Sequence, residues 1–361
     1  MKKIFLIVFM IVCLTVIQVC AFSPYVSYNQ HFKSVNKTAK IVLIDMNNQN
    51  IKPKVARAHE KIASADSLKH MTDSKKTATN RVIGGINGTY FSAYDGTNLP
   101  YGTLIEDGKA VHIGNYGSVM GFTADNKMII DNLNITIDGY INDENRFYAW
   151  GLNHPRTEKD AIVIYTEEYG EAISAKMGKA IIVENGVVKY IVENKDNLWA
   201  SKNGIVIVFN EEVAYLADRF KVGDTVSYKC NFESKNIDQT IESNVNWENV
   251  TCAIGAGPSL IIDGKITANG SQEGFWESKI NTSRAQRSFV GYTYENKLVM
   301  GTVSNANLKE LAQICKEMNL KGAMCMDGGA SSSLYYQGKY ITSPGRNINN
   351  ALVITEQVAS Q

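Results

Sequence analysis

Three short apolar runs in this chain break at an Asp-Gly or Asn-Gly pair and then resume. They are Leu104-Ile-Glu-Asp107-Gly108-Lys-Ala-Val111, Ile181-Ile-Val-Glu-Asn185-Gly186-Val-Val188 and Leu260-Ile-Ile-Asp263-Gly264-Lys-Ile266. Leu334-Tyr-Tyr-Gln-Gly338-Lys-Tyr-Ile341 follows the same pattern. A two-residue type I′ turn needs positive φ at both central positions, which Asn, Asp and Gly tolerate, and its twist matches that of the flanking strands. Four such signals commit much of the chain to antiparallel hairpins. Their spacing is too irregular for a solenoid or propeller.

Helical signals are few. Ile62, Ala65, Leu68 and Met71 recur at helical spacing and predict a helix between Pro53 and about Lys76. Asn305 or Asn307 can cap a second helix over Leu308–Met318, whose Leu308, Leu311, Ile314, Cys315 and Met318 share one face. Strands are expected over Ala39–Met46, from Arg81 towards Asn87, and over Ala323–Met326, which runs into Asp327-Gly-Gly. The expected class is α+β: a mixed, β-rich sheet core with few helices and a β-rich insertion.

Within 361 residues the expected division is a leader over 1–21, then an N-terminal strand and helix packing on the core over 22–80. A core follows over 81–124 and 247–357, split by the insertion at 125–246. The leader rests on Lys2-Lys3, the 14-residue apolar run Ile4 to Ile17, and Val19-Cys20-Ala21 at the cleavage positions. The run is short for a membrane span, so a secretory signal peptide is expected, with an uncleaved anchor as the alternative. The expected location is secreted or extracytoplasmic, at the cell surface, with no stable membrane span after leader removal.

Charge excludes one class of partner. Lys and Arg number 37 against 36 Asp and Glu, with no basic block, so nothing supports phosphate-driven nucleic-acid binding. Beyond the leader, Cys230, Cys252, Cys315 and Cys325 remain. In an oxidising compartment the nearest-neighbour pairing is Cys230–Cys252 with Cys315–Cys325; the alternative is four buried thiols. There is no C-x-x-C, and His31, His59, His70, His112 and His154 are scattered without H-E-x-x-H, which disfavours a zinc hydrolase.

Four clusters carry polar chemistry. They are Asn87-Gly-Thr-Tyr-Phe91, Ala253-Ile-Gly-Ala-Gly-Pro-Ser259, Arg284-Ala-Gln-Arg287-Ser-Phe-Val-Gly291, and Asp327-Gly-Gly-Ala-Ser-Ser-Ser333 with Pro344-Gly-Arg346-Asn-Ile-Asn349-Asn350 behind it. Singly each is weak. Asp327-Gly-Gly also reads as a strand-ending turn. Gly255-Ala-Gly257 is neither a dinucleotide fingerprint nor a Walker loop. Ser331 to Ser333 lack a G-x-S-x-G elbow and a nearby His.

In this order, however, the clusters resemble the phosphodiester glycosidase domain family over about Ile83 to Ile354. Two departures are Ala330, where the family's third Gly of D-G-G-G-S is usual, and Thr89-Tyr90, where Gly-Phe is common. The middle segment with Asn153-His-Pro-Arg156 looks like the family's bacterial branch. The resemblance implies an exported hydrolase cleaving the sugar C1–O–phosphate bond of a glycosyl-1-phosphodiester in a surface glycan or phosphoglycan. Two alternatives are P–O cleavage of the same substrate and a non-catalytic surface-glycan binder.

On that reading Asp327 is the first-choice carboxylate near C1, with Asp95, Glu106, Glu273 and Glu277 in reserve. Arg287, helped by Arg346, would hold the phosphate through its planar donors. Asn87 would bind a sugar hydroxyl or orient the carboxylate. The amides around Gly257, Gly328 and Gly329 would form an anion nest, and Ser331 and Ser332 would donate to phosphate. Thr89 and Tyr90 complete the expected substrate contacts, and Phe91, Phe275 and Trp276 are candidates to face a sugar ring. No cofactor or metal is implied, and a divalent-metal requirement stays open.

Overall fold

The computed structural model describes residues 23–235 and 246–358; the leader expected over 1–21 lies outside them. All four expected hairpins form. Asp107, Asn185, Asp263 and Gln337 have φ of 44–50°, and the glycines after them 72–86°. The flanking pairs Glu106↔Lys109, Glu184↔Val187, Ile262↔Lys265 and Tyr336↔Lys339 close each turn.

The strands assemble into four sheets, antiparallel apart from one short pair, and helices are few, as the α+β expectation holds. One seven-stranded sheet runs in the order Tyr25–Phe32, Lys37–Asp45, Lys297–Ala306, Ala285–Thr293, Leu320–Met326, Ser259–Ile262 and Lys265–Ile266. A five-stranded sheet runs Lys339–Thr342, Leu334–Tyr336, Asn80–Asn87, Asn350–Gln357 and Ile51–Arg57. Val42, Ile44, Val290, Met300 and Met324 of the first sheet share one buried cluster with Ile83, Ile86, Leu352 and Ile354 of the second.

Each of these sheets is covered by a helix. Leu308–Glu317 lays Leu308, Leu311, Ile314 and Cys315 against Phe289, Val299 and Ala323. Its cap is Asn307, which accepts from the Glu310 N–H while the Glu310 carboxylate accepts from the Asn307 N–H, a capping box. Truncating the fully buried Leu311 to Ala costs about 2–5 kcal/mol. The second helix, Leu68–Ser74, starts at Ser67 and buries Leu68 and Met71 against Ala351 and Val353.

The helix expected from Pro53 to Lys76 is therefore corrected over its first half. Ile51–Arg57 is a strand with alternating burial, paired with Asn350–Gln357 at the sheet's margin. Pro53 lies opposite Ile354 on that edge strand, where a missing N–H is tolerated. The apolar spacing at 62–71 was real but spans a loop and one short helix.

Met128–Ile141 and Val226–Ser234 extend the sheet of Leu104–Glu106, Ser118–Thr123 and Val250–Gly255. A separate five-stranded sheet, Gly151–Leu152 to Val187–Leu198, packs Ile164, Ile181, Ile207 and Phe209 against Ile135, Ile137 and Phe147. No helix among the described residues is long and apolar enough to cross a membrane.

The proposed disulfides are absent: Cys230, Cys252, Cys315 and Cys325 are free. The physical reason is that these thiols act as small apolar groups. Cys252 sits in the central cluster, and Cys315 and Cys325 in the cluster under the helix. Burial pushes the Cys230, Cys252 and Cys325 thiols up to about 12, far from a reactive thiolate.

Candidate active site

Strand Leu320–Met326 ends at Asp327, and strand Ala285–Thr293 runs beside it with Ser288 opposite Met326. Arg287, one residue earlier, is thereby brought next to the Asp327-Gly-Gly turn. From the second sheet, strand Asn80–Asn87 ends at the same place, and Arg346 lies in the loop leading into Asn350–Gln357. The two sheets meet here because Asp327 N–H donates to the Gly88 oxygen at 3.0 Å. Gly88 is required: a Cβ on it would fall 1.8 Å from the Asn350 Oδ1 that accepts from Thr89 N–H.

These elements line a cavity of about 780 Å³ with Asp327, Arg287, Arg346, Tyr90, Phe91 and Gly328 among its walls. Asp327 is 6% exposed. Burial raises its carboxyl to about 6, against the opposing effects of a Ser331 hydrogen bond, the Arg346 charge and the Gly328 N–H. Arg346 holds the Asp327 carboxylate at 3.3 Å through Nη2 and the Ser331 hydroxyl at 2.7 Å through Nε. Its Nη1 is buried with no hydrogen-bond partner among the described residues, and its guanidinium lies 5.1 Å from the Phe91 ring centre and 5.3 Å from that of Tyr94.

Arg287 is held differently. Its Nε donates to the Ala306 oxygen at 3.0 Å, and its Nη2 to those of Lys279 (2.8 Å) and Ser283 (2.6 Å). Among the described residues it makes no ion pair, although it is 5% exposed. Nη1 lies beside Gly328, 3.5 Å from where a Cβ there would stand. A buried cation pinned only by carbonyl oxygens retains an uncompensated charge directed at whatever anion the cavity admits.

The other expected site residues divide sharply. The Asn87 amide is fully buried, donating to the Asp327 main-chain oxygen at 2.7 Å and accepting from Ser333 N–H at 2.9 Å. It is therefore not free to meet a sugar hydroxyl; it holds the turn from behind. Thr89 spends its hydroxyl on Gly102 N–H and is buried away from the cavity. Ser331 reaches the site through Arg346, and Ser332 is buried outside the cavity wall, its hydroxyl without a partner among the described residues. Tyr90 and Phe275 line the cavity with rings 5.6 Å apart, whereas Trp276 is exposed and outside it.

The nest expected around Gly257 is corrected. The N–H groups of Gly255, Ala256 and Gly257 already donate to Thr103, Ser118 and Cys325 oxygens. Gly257 is needed for packing, with φ of 91° and Ser118 N 2.7 Å from a hypothetical Cβ. In the Asp327 turn, by contrast, the i→i+3 bonds start from Ser331 and Ser332, leaving the Gly329 and Ala330 N–H groups outside them.

Of the reserve carboxylates, Glu106 is paired with Arg57 at 2.6 Å, and Glu273 accepts from Ser118 and Ser259. Neither borders the cavity. Asp95 and Glu277 do, both from exposed positions, and Asp95 is held below the usual carboxylate range by Thr97. A smaller cavity of about 480 Å³ around Lys52, Lys54 and Lys75 offers less, because those charges already meet Ala124 O, Asp107 and Glu60.

Residues 177–355 match the family model for phosphodiester glycosidase. Over these residues the chain belongs to the phosphodiester glycosidase family. The family match contains Arg287, Asp327 and Arg346 but begins after Asn87, Thr89 and Tyr90. No curated protein matches the chain significantly.

Among solved structures, a hypothetical protein from Synechocystis is 17% identical with a TM-score of 0.77, covering 92% of this chain. This family member spans 61% of that protein's length. A Burkholderia pseudomallei protein described as exported is 16% identical with a TM-score of 0.71, covering 88% of this chain and 74% of that one. The zebrafish N-acetylglucosamine-1-phosphodiester alpha-N-acetylglucosaminidase catalytic domain, auto-inhibited by its pro-peptide, is 14% identical with a TM-score of 0.48, covering 91% and 81%. The first two establish the shared fold.

Some cavity residues of this phosphodiester glycosidase family chain had no assigned role in the sequence. Tyr94, Tyr116, His154, Arg156 and Lys279 all border the cavity. Asn153-His-Pro-Arg156 was visible as a family-like segment, but nothing in its pattern tied it to Asp327. Among the described residues, no three His, Cys, Asp or Glu side chains gather as metal ligands would.

Proposed function

We propose that the protein is an exported hydrolase cleaving the C1–O bond of a glycosyl-1-phosphodiester, releasing sugar from a surface glycan or glycoconjugate. The observation that carries this reading is Arg287: a buried guanidinium without an ion pair among the described residues, beside a buried carboxylate in one cavity. Arg287 Nη1 and Arg346 Nη1 would bind the diester phosphate and stabilise the departing phosphate monoester. Asp327, ionised above about pH 6, would face C1 and stabilise the developing oxocarbenium ion as nucleophile or electrostatic partner. Gly328 keeps Nη1 of Arg287 uncovered, and Asn87 acts as a positioning residue through the Asp327 backbone. Tyr90, Phe91 and Tyr94 offer rings for the sugar faces. Family membership supports the substrate class, and Lys2-Lys3 with the apolar run after them supports export.

Hydrolysis of a sugar-1-phosphodiester in ¹⁸O-labelled water tests the bond cleaved. Label in the sugar hemiacetal is expected. Label found only in phosphate would assign P–O cleavage instead, and absence of turnover with retained glycan binding would make the protein a binder.

A further inference from the structure

His112 is fully buried, and its Nδ1 lies 2.7 Å from the Gly102 carbonyl oxygen. A carbonyl only accepts, so His112 carries its proton on Nδ1. Burial above all, and the neighbouring His154 ring after it, holds His112 well below the usual imidazole range, so the ring is neutral and its Nε2 is a bare acceptor. His154 Nδ1 is 3.0 Å from that Nε2 and must supply the proton between them. Burial and the Arg156 charge lower His154 to about 4, so this ring too is neutral at physiological pH. Its second nitrogen, Nε2, is consequently a lone pair with no partner among the described residues, on a ring that borders the cavity shared with Asp327 and Arg346.

The ring is also held in place. Asn153 donates to Val111 O and to the Thr166 hydroxyl, each at 2.8 Å, and accepts from Thr166 N–H at 2.8 Å. Leu152 O accepts from Ile113 N–H just before it. A fixed ring with one fixed acceptor favours a ligand that offers a donor and rejects one that lacks it.

We propose that His154 is a specificity-determining residue, its Nε2 accepting a hydrogen bond from a hydroxyl or amide N–H of the bound sugar. The donor's identity as a sugar group rests on the function proposed above; the tautomer chain does not.

Two measurements test it. In ¹H–¹⁵N spectra of the imidazoles, His154 is expected as the Nδ1–H tautomer, with its Nε2 resonance moving when glucose 1-phosphate or N-acetylglucosamine 1-phosphate is added. Calorimetric binding of these two probes and their monodeoxy or deacetylated analogues should show one analogue losing about tenfold in affinity. His154→Ala should lose about tenfold on the parent and no longer discriminate that analogue, while His154→Gln, which keeps an acceptor, restores part of the preference. An Nε2–H tautomer, or an unchanged analogue pattern in His154→Ala, overturns the proposal. If wild type binds neither probe, the underlying sugar-phosphate reading fails, and the donor assignment with it. Should His154→Ala not fold, the spectra and His154→Gln decide alone.

Discussion

The side-chain amide of Asn87 donates to the main-chain oxygen of Asp327 at 2.7 Å, from a position the cavity never reaches. The carboxylate in front is thus held by a residue behind it. Asn87→Ala leaves the Asp327 oxygen and the Ser333 N–H buried without partners, at about 1–3 kcal/mol each. Urea unfolding should register a loss of about 2–6 kcal/mol for the two groups together. Activity at a temperature where the variant stays folded should fall mainly in kcat.

Asp327→Asn separates function from stability. Because folding raises this acid from 3.8 to about 6, its ionised form opposes folding. The penalty is complete above about pH 6, fades as pH falls from there, and is gone below 3.8, where both states are protonated. The displacement corresponds to about 3 kcal/mol. At pH 8 the variant should therefore melt no lower than wild type while losing about a thousandfold or more in kcat. The stability difference should shrink between pH 7 and pH 4.

The same group sets a pH limb. If ionised Asp327 is the working form, log kcat/KM should rise with pH and level off, with its midpoint near pH 6. A limb that instead falls above pH 6 would make Asp327 the proton donor. Initial rates over about pH 4.5–8.5 at constant ionic strength distinguish the two.

Arg287→Lys keeps a cation but not the planar fork that reaches Ala306, Lys279 and Ser283 while leaving Nη1 beside Gly328. The expected result is a drop in kcat/KM of about 10–100-fold on an anionic diester. A neutral glycoside should lose far less. Equal losses on both would show that the cation serves the fold rather than the phosphate.

Free thiols predict indifference to reductant. With Cys252, Cys315 and Cys325 buried and Cys230 half-buried, dithiothreitol should leave the melting temperature unchanged. A thiol reagent should label all four only after denaturation. A fall in melting temperature on reduction would mean that a pair forms after all.

Local chemistry was the legible part of the sequence. Asp107-Gly108 and its three counterparts made their turns because positive φ is a property of the residues themselves, and Asn307 capped its helix for an equally local reason. Asp327, Arg287 and Arg346 could be picked as chemistry-bearing groups, and they do share a cavity. Whether a donor is free could not be read, because that depends on distant partners. Gly257 spends its N–H on Cys325, far along the chain, and Asn87 spends its amide on Asp327. Asn349 likewise looks like a ligand-binding amide, yet donates to the Ile62, Ser64 and Asn98 oxygens, tying three loops together. Ile51–Arg57 escaped because its pairing partner, Asn350–Gln357, lies some three hundred residues away.

Strand Met128–Ile141 carries a last consequence. Its first half pairs with Ser118–Thr123, and its second half pairs with Val226–Ser234 on one side and Asn145–Ala149 on the other. Met128 and Ile130 point into the central cluster, while Ile129, Ile135 and Ile137 serve the neighbouring one. A single beam therefore belongs to both halves of the molecule, and bending it would break two ladders at once. The wall bearing His154 is set like a fixed jaw rather than hung like a door. Side chains on that jaw can then change without disturbing the Asp327–Arg346 pair on the other side of the cavity.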